Sequence, residues 1–420
     1  MVRAERHRRG DAVVAASLVV VVGLAAALLA VFSPAANTTS VTAASPVPTV
    51  PLEPADVPDP LSEAWRAPSA ATTTPVAVGP VVVTGDSEQP PGGSPAGVVL
   101  GRDPLTGQPR WSYRRNLPLC AVGSAWDLAL AVFRRSGYCG EVTGLSAQTG
   151  ARGPQRNSDV SPDARLLDDG YLVTASGPTY LETWRSDLVE TLSYGAERAN
   201  PQPDRQPRTG CRHESIAVTR GRLGVLERCA GESIDRLTML RPDSNETERP
   251  PEQFSVTLPT TGARLVAISD DSEAVLAPNP TRLSIRDGTG TELASYPLEL
   301  PACDLAGDPP GGVVPTAVFS DASSNVVLWW TGSRTVALDA SDLRPLWTVP
   351  DTLGPGTPWA GRLVVPVPSG LAVVDSDTGA VLRAVPVDRA GYRGPVTLRG
   401  VGPILLEQRG PTIVALGGAR

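Results

Sequence analysis

The chain has 420 residues, a formal net charge of −7 at pH 7, 43 proline residues and 41 glycine residues. A general nucleic-acid-binding protein needs a basic surface, so the acidic balance argues against that class. Turn-forming residues are spread along the whole length, which favours many short strands over long helices. Every basic residue apart from two histidines is arginine, so single arginines are treated as a compositional feature rather than as ligand clamps.

The N-terminal segment predicts how the chain is placed in the cell. Residues 1–11 are rich in arginine, and residues 12–32 are uncharged and mostly apolar. At about 1.5 Å per residue, a helix over 12–32 crosses a hydrocarbon core of about 30 Å. Because basic flanks stay in the cytoplasm, we expect a single-pass membrane protein with a short cytoplasmic tail and an extracytoplasmic remainder. A cleaved signal peptide is the alternative, and it also exports the remainder.

The next segment, residues 33–60, is rich in proline, threonine, serine and alanine and has no pattern that would form a core. This composition predicts an extended stalk that holds the following domain away from the bilayer. Residues 61–420 are then expected to form a single folded domain.

From about residue 62 the chain repeats a unit of four short apolar strands separated by turns. The third strand and its turn recur best, as in DPLTG at 103–107 and DSDTG at 375–379. Glycine after threonine permits the positive φ of a tight hairpin, and the aspartate can accept hydrogen bonds from backbone N–H groups just ahead of it. Trp111 and Trp347 follow equivalent turns, which predicts that they pack between neighbouring sheets. The residues predicted to have a structural role in these repeats are Asp103, Thr106, Gly107, Trp111, Thr149, Gly150, Asp287, Gly290, Asp339, Trp347, Asp375, Thr378 and Gly379.

The two ends of the repeat region indicate how it closes. The spacing of the copies suits a four-stranded propeller blade of about 40–50 residues. After the last copy, residues 394–417 hold three more strand-like runs, and LSEAWRAPS at 61–69 resembles a lone fourth strand. Pairing the two ends completes one more blade and removes exposed sheet edges. We therefore predict an all-β, eight-bladed β-propeller closed by its N- and C-terminal strands, with seven blades as the alternative.

The repeat also resembles a known family. Repeats of the type A-x-D-x-x-T-G-x-x-x-W mark the PQQ-like, or quinoprotein-like, β-propeller family, which includes a periplasmic lipoprotein of the outer-membrane β-barrel assembly machine. DPLTGQPRW at 103–111 carries D-x-x-T-G-x-x-x-W intact, whereas other copies lack the tryptophan or the Thr-Gly pair. Over about 61–418 the chain resembles membrane-anchored actinobacterial propellers of this family. The resemblance implies the fold and says little about function, because function lies in sites rather than folds.

The cysteines predict two disulfides. Cys120 and Cys139 fall in one repeat, and Cys211 and Cys229 in another, each pair near the start of a first strand and the entry to a third. In an exported chain this arrangement favours disulfides within blades. A zinc site is the alternative, although the sequence contains no CxxC motif. Cys303 is left over and is expected to be a buried free thiol, with a reactive thiol as the alternative.

Few residues suggest catalysis. His7 lies before the apolar segment, so His213 is the only histidine of the exported part, and its position beside Cys211 indicates a structural role. The most visible acidic pair, Asp270 and Asp271, is expected to form a polar turn, with a calcium site as the alternative. We assign no catalytic, cofactor-binding or metal-binding residue.

The predicted function is a protein-binding scaffold of the bacterial cell envelope, a binding protein rather than an enzyme, with no cofactor and no nucleic-acid partner. One alternative is a ligand-binding or catalytic propeller acting on a sugar or cell-wall polymer, which converging carboxylates and aromatics in the central channel would favour. The other is a PQQ-dependent dehydrogenase, whose adjacent cysteine pair is absent from this sequence. The predicted contact loops are the irregular insertions at 196–210, 241–252 and 302–312.

Overall fold

The computed structural model describes residues 9–32, 37–45, 49–89, 92–93, 95–196, 206–244, 250–306, 312–314, 316–320 and 324–418. Its first element is the helix α1, Arg9–Phe32, which is rich in valine and alanine; alanine favours helix. Gly10–Leu28 has a mean hydropathy of 2.4 and is long and apolar enough to cross a membrane. A signal sequence has the same length and composition, so α1 fits either role.

Almost all other elements are strands, which form eight four-stranded antiparallel sheets, the blades. Blade 1 comprises β3 (Val76–Val78), β4 (Val81–Glu88), β5 (Ala96–Arg102) and β6 (Pro109–Arg115), and blade 2 comprises β7 (Leu119–Ala125), β8 (Leu128–Arg135), β9 (Tyr138–Ser146) and β10 (Arg152–Asn157). Blade 3 comprises β11 (Arg165–Asp168), β12 (Val173–Ser176), β13 (Tyr180–Trp184) and β14 (Glu190–Gly195), and blade 4 comprises β15 (Cys211–Thr219), β16 (Arg222–Cys229), β17 (Arg236–Leu240) and β18 (Glu252–Thr257). Blade 5 comprises β19 (Arg264–Ile268), β20 (Ser272–Pro278), β21 (Thr281–Asp287) and β22 (Glu292–Pro297), and blade 6 comprises β23 (Thr316–Ser320), β24 (Asn325–Trp330), β25 (Arg334–Asp339) and β26 (Pro345–Pro350). Blade 7 comprises β27 (Thr357–Trp359), β28 (Arg362–Val367), β29 (Gly370–Val374) and β30 (Val381–Pro386), and blade 8 comprises β31 (Val396–Val401), β32 (Ile404–Arg409) and β33 (Thr412–Gly418) with β2 (Leu61–Pro68). A short helix, α2 (Ala302–Leu305), lies between blades 5 and 6.

The two chain ends share the last blade. Strand β2 pairs antiparallel with β33, so that Leu61 lies opposite Gly418 and Pro68 opposite Thr412. The inner strand β31 of blade 8 contacts β3 of blade 1, which closes the ring. The prediction of an eight-bladed propeller closed by its N- and C-terminal strands is confirmed, and the seven-bladed alternative is wrong.

The core is divided between the blade interfaces. The described residues form eight buried hydrophobic clusters, and each lies between one pair of neighbouring blades. Successive side chains of a strand point to opposite faces of its sheet, so each blade packs against the preceding blade with one face and against the following blade with the other. This explains why strands inside a blade are apolar on both faces, for example Val81, Val82 and Val83 of β4, each 0% exposed.

The segment before the propeller begins with a short strand, β1 (Thr38–Val41). It adds a fifth antiparallel strand to the outer edge of blade 1, with Thr38 opposite Arg115 and Val41 opposite Ser112. Beyond it, the Ala43 N–H donates to the carbonyl of Thr149 in blade 2 at 2.9 Å.

Residues 49–60 continue along the ends of blades 8 and 7. The Glu53 carboxylate accepts a hydrogen bond of 2.9 Å from the N–H of Ala360. Asp56 forms an ion pair of 3.1 Å with Arg383 of β30. Val57 is 3% exposed and belongs to the cluster between blades 7 and 8. We name residues 37–45 and 49–60 together the strap.

The strap covers most of the segment 33–60 for which an extended stalk was predicted, and its described residues contact the blades. Residues 33–36 and 46–48 lie outside the described part of the chain. The outer strand of a blade has backbone N–H and C=O groups without a partner strand, and a segment of almost any composition can pair with them. Because three of the four side chains of β1 stay exposed, its sequence carries no hydrophobic alternation that would predict a strand.

Candidate functional site

The aspartates of the repeat turns accept hydrogen bonds from residues of their own turns. Oδ1 of Asp103 accepts from the N–H of Leu105 and of Thr106, both at 3.0 Å, and from the Thr106 hydroxyl at 3.1 Å. Asp375 accepts from the N–H and hydroxyl of Thr378 in the same way, at 2.9 and 2.7 Å. These hydrogen bonds hold the pKa of Asp375 below its usual range. The carboxylates are therefore occupied by their own turns.

The remaining aspartates of the repeats behave alike. Asp287 accepts from Thr289, and Asp339 accepts from Ser341, each through backbone N–H and hydroxyl. Their pKa values are likewise lowered, first by the side-chain hydrogen bond. In the second copy the Thr149 hydroxyl accepts from the N–H of Ala151 at 3.2 Å.

The tryptophans of the outer strands sit on the turn glycines of the next blade. A Cβ on Gly150 would lie 2.7 Å from the Trp111 ring, and one on Gly379 would lie 2.7 Å from the Trp347 ring. Both glycines have φ near +70°, a conformation that glycine adopts without steric cost. The Trp111 Nε1–H also donates to the carbonyl of Ala147 at 2.7 Å. These residues join one blade to the next and are distributed around the ring rather than gathered at one site.

Two further glycines of the repeats are covered in the same way. Gly107 lies under Trp65 of β2, so the closing strand uses the same contact as the others. Gly290, with φ of +82°, lies under Phe254 and Val256 of blade 4 instead of under a tryptophan. The space over a turn glycine therefore accepts other apolar side chains, which explains why several copies of the repeat lack the tryptophan.

Both predicted disulfides are present. Cys120 of β7 bonds to Cys139 of β9, and Cys211 of β15 bonds to Cys229. Cys229 ends the second strand of its blade, β16, and does not lie at the entry to the third strand as predicted. Cys303 is a free thiol in α2 and is exposed, so the expectation that it is buried is wrong.

His213 is buried and fixed by the backbone. It is 3% exposed, and its Nδ1 lies 2.8 Å from the carbonyl of Gly177, to which it donates as the N–H tautomer. Burial lowers the pKa of His213 to about 4, so the ring is neutral at physiological pH. Its ring stacks on Tyr194 of blade 3 with centroids 5.8 Å apart. The histidine therefore joins blades 3 and 4.

Buried arginine–glutamate pairs cross several blade interfaces. They are Arg115–Glu141 between blades 1 and 2, Arg156–Glu182 between blades 2 and 3, Arg222–Glu273 between blades 4 and 5, and Arg389–Glu407 at the junction of blades 7 and 8. Each of these glutamates is at most 7% exposed. Burial raises the pKa of Glu182 to about 7, against the opposing charge of Arg156. In each pair the positive charge of the arginine offsets the cost of burying the glutamate carboxylate.

Sequence reasoning missed these pairs because the arginines were treated as compositional. A usable signal was present: single glutamates stand inside strands that are otherwise apolar, as in SEAVL at 272–276 and LLEQ at 405–408. A carboxylate at such a position needs a buried partner, which is most often arginine.

The central channel is bordered by the inner strands β3, β7, β11, β15, β19, β23, β27 and β31. Within these strands the two bulky aromatic side chains, Phe319 and Trp359, are 3% and 1% exposed and pack in blade cores. Asp168 of blade 3 interacts electrostatically with Arg399 of blade 8, although burial raises the pKa of Asp168 overall. The described inner strands thus do not combine exposed aromatics with converging carboxylates, the arrangement that would favour a sugar-processing channel.

An open cleft of about 600 Å³ lies between blades 4 and 5. On its floor, Arg222 at the start of β16 donates to the Ser269 carbonyl at 2.5 Å and pairs with Glu273 of β20. Burial raises the pKa of Glu273 to about 7 in spite of that pair. We name this the blade 4–5 cleft; it is lined by Arg222, Arg241, Pro251, Glu252, Gln253, Asp270, Asp271 and Gly288.

The rim of the cleft carries exposed charges of both signs. Asp270 and Asp271 are exposed in the turn between β19 and β20, as predicted for a polar turn. Arg241 is exposed on the opposite side, in the first part of the predicted contact loop 241–252. Residues 197–205, 245–249 and 307–311 of the three predicted contact loops lie outside the described residues.

Comparison with known proteins gives similarities of fold only. No protein-family model and no curated protein matches the chain. Among solved structures, it is similar to BamB from Moraxella catarrhalis (13% identity, TM-score 0.46, covering 85% of this chain and 99% of that one) and to Sqt1 from Saccharomyces cerevisiae (10% identity, TM-score 0.49, covering 87% and 100%). It is also similar to apo AztD from Citrobacter koseri (13% identity, TM-score 0.37, covering 66% and 71%). The chain itself is an eight-bladed β-propeller preceded by one apolar helix.

Proposed function

We propose that the chain is a membrane-anchored scaffold of the bacterial cell envelope that binds a protein partner through the blade 4–5 cleft. The observation that carries this proposal is the cleft itself, which is open, about 600 Å³ in volume and lined by charges of both signs. Mixed charges at an exposed rim favour a partner that presents complementary charges, because such pairs steer association and fix register.

The anchor supports an extracytoplasmic placement. The apolar helix α1 follows Arg3, Arg6 and Arg8, a basic flank that favours a cytoplasmic N-terminus. The two disulfides suit an oxidising compartment. The strap begins only a few residues after Phe32, the last residue of α1. In this placement the outer edge of blade 1 therefore lies close to the end of the helix that leaves the membrane.

We further propose that the repeats belong to the PQQ-like propeller family. Support comes from the turn geometry of the copy at 103–111. Asp103 caps the turn, Gly107 has a positive φ of +70°, and Trp111 packs on the next blade. In this reading the family motif is a structural device that joins blades.

The experiment is in-cell crosslinking followed by affinity capture of the full-length chain, with wild type compared to Arg241→Glu. We expect one dominant envelope protein with the wild type and a loss of about tenfold or more with Arg241→Glu, because reversing a rim charge disrupts the complementary pair. Arg134→Glu is the matched control, since Arg134 is also exposed but lies on blade 2. It should retain the partner.

If Arg241→Glu and Arg134→Glu capture equal amounts of the partner protein, the blade 4–5 cleft is not its binding site. A purified domain that carries a bound sugar or wall fragment, with no protein recovered by crosslinking, would instead favour the ligand-binding alternative.

A further inference from the structure

The disulfide of blade 4 lies beside a buried carboxylate. The ligand atoms of Cys211, Cys229 and Glu227 lie within 4.8 Å of one another, the one such group of His, Cys, Asp and Glu residues in the described part of the chain. The β15–β16 pairing accounts for this, since Cys211 is directly opposite Cys229 and His213 opposite Glu227. Residues two apart share a face of a sheet, so the carboxylate and both sulfurs point to the same side.

Glu227 has an acceptor atom with no partner. It is 0% exposed; its Oε1 accepts from the Tyr194 hydroxyl at 2.8 Å and from the Thr238 hydroxyl at 2.7 Å. Its Oε2 has no hydrogen-bond partner among the described residues. The nearest guanidinium, that of Arg208, lies 3.8 Å from Oε1. A buried carboxylate with an unpartnered oxygen is costly, and this carboxylate lies beside two sulfurs, which points to a missing ligand.

We propose that the reduced form of this chain binds a zinc ion between the two sulfurs of Cys211 and Cys229 and the free carboxylate oxygen of Glu227. Two thiolates and one carboxylate are a zinc donor set, and a water molecule completes four-coordination. Sulfur ligands select zinc over calcium or magnesium, which take oxygen ligands. The site is independent of the partner-binding function proposed above.

The disulfide and the zinc site exclude each other. A dithiol reductant attacks the sulfur of Cys229, a residue less buried than Cys211, with one thiolate. The S–S bond breaks as a mixed disulfide forms, and Cys211 leaves as a thiolate that takes up a proton. The second thiolate of the reductant then attacks its own sulfur in the mixed disulfide, so that the reductant leaves as an internal disulfide and the chain gains two thiols. Zinc then displaces the two thiol protons to solvent as two Zn–S bonds form. In the oxidised chain both sulfurs are bonded to each other and cannot hold the ion.

The other disulfide provides an internal control. Cys120 of β7 and Cys139 of β9 also form a disulfide within one blade, but no third ligand of a described residue lies within the same distance. Reduction of that pair should create two thiols without a zinc site.

The test uses full-length protein in detergent, reduced with a phosphine, freed of reductant without oxygen and titrated with zinc against a chromophoric chelator. The reduced wild type should bind about one zinc ion per chain, and the oxidised wild type none. Cys120→Ser with Cys139→Ser should keep the site, and Cys211→Ser with Cys229→Ser should lose it. Glu227→Gln, taken forward once mass spectrometry finds both disulfides in that variant before reduction, should bind zinc about tenfold more weakly or worse.

Three outcomes would overturn the proposal. The first is a reduced wild type that binds no more zinc than the oxidised chain, whether or not it stays folded by circular dichroism. The second is zinc binding that survives loss of Cys211 and Cys229. The third is an affinity that Glu227→Gln leaves unchanged, which would mean that zinc binds exposed thiols without the carboxylate.

Discussion

Trp111→Ala should lower the free energy of unfolding by about 3–5 kcal/mol. Trp111 is 1% exposed, lies in the cluster between blades 1 and 2, and covers Gly150 of the next blade. Truncation leaves a cavity at an interface and removes the hydrogen bond from Nε1 to the Ala147 carbonyl. Urea-induced unfolding of the full-length protein, followed by far-ultraviolet circular dichroism, measures the loss.

The control is Trp330→Ala. Trp330 is only partly buried, and its Nε1–H donates to the Thr352 carbonyl at 3.1 Å without covering a turn glycine. We expect less than half the effect of Trp111→Ala. Equal effects would mean that the tryptophan–glycine contact has no special part in joining the blades.

Glu407→Ala should destabilise the protein by a similar amount, about 3–5 kcal/mol. Glu407 is 0% exposed and accepts hydrogen bonds from Arg389 at 2.7 and 3.0 Å and from Arg409 at 2.7 Å. Removing the carboxylate leaves two guanidinium groups, each almost fully buried, without their counter-charge. The same unfolding measurement applies.

A pair on the surface is the control. Glu63 and Arg66 form an ion pair in which the side chains are 31% and 56% exposed. Glu63→Ala should cost no more than about 1 kcal/mol, because solvent screens an exposed pair. A Glu407→Ala variant as mild as Glu63→Ala would show that water reaches the pair between blades 7 and 8.

The ring and its closure were predictable because they depend on a repeated local pattern. A turn such as DPLTG dictates a hairpin from residues close in sequence, and a lone strand at 61–69 with three strands at the other end leaves one pairing that removes both edges. The disulfide partners followed from their spacing within single repeats. Among the disulfide predictions, only the position of Cys229 was wrong: it ends the second strand of its blade and does not lie at the entry to the third. A sequence marks a turn more clearly than it marks the last residue of a strand.

The contacts that are not indicated by the repeat pattern were not predictable. The strap pairs through backbone groups, which no composition reveals, and it joins residues such as Glu53 and Ala360 that are far apart in the chain. The blade 4–5 cleft likewise combines the start of β16 with turns of the next blade. The sequence identified Asp270 and Asp271 as a polar turn, but it gave no sign that Arg222 lies on the floor of the same cleft.

The closure of the ring is tested most directly by a crosslink between its two ends. Pro68 and Thr412 lie opposite each other in the pairing of β2 with β33, so Pro68→Cys with Thr412→Cys brings two thiols within bonding reach. Under non-reducing conditions, mass spectrometry should then find a peptide that joins the two chain ends, while Pro68→Cys with Thr219→Cys, on blade 4, should give none. Absence of the end-to-end peptide while both native disulfides are intact would contradict the shared eighth blade.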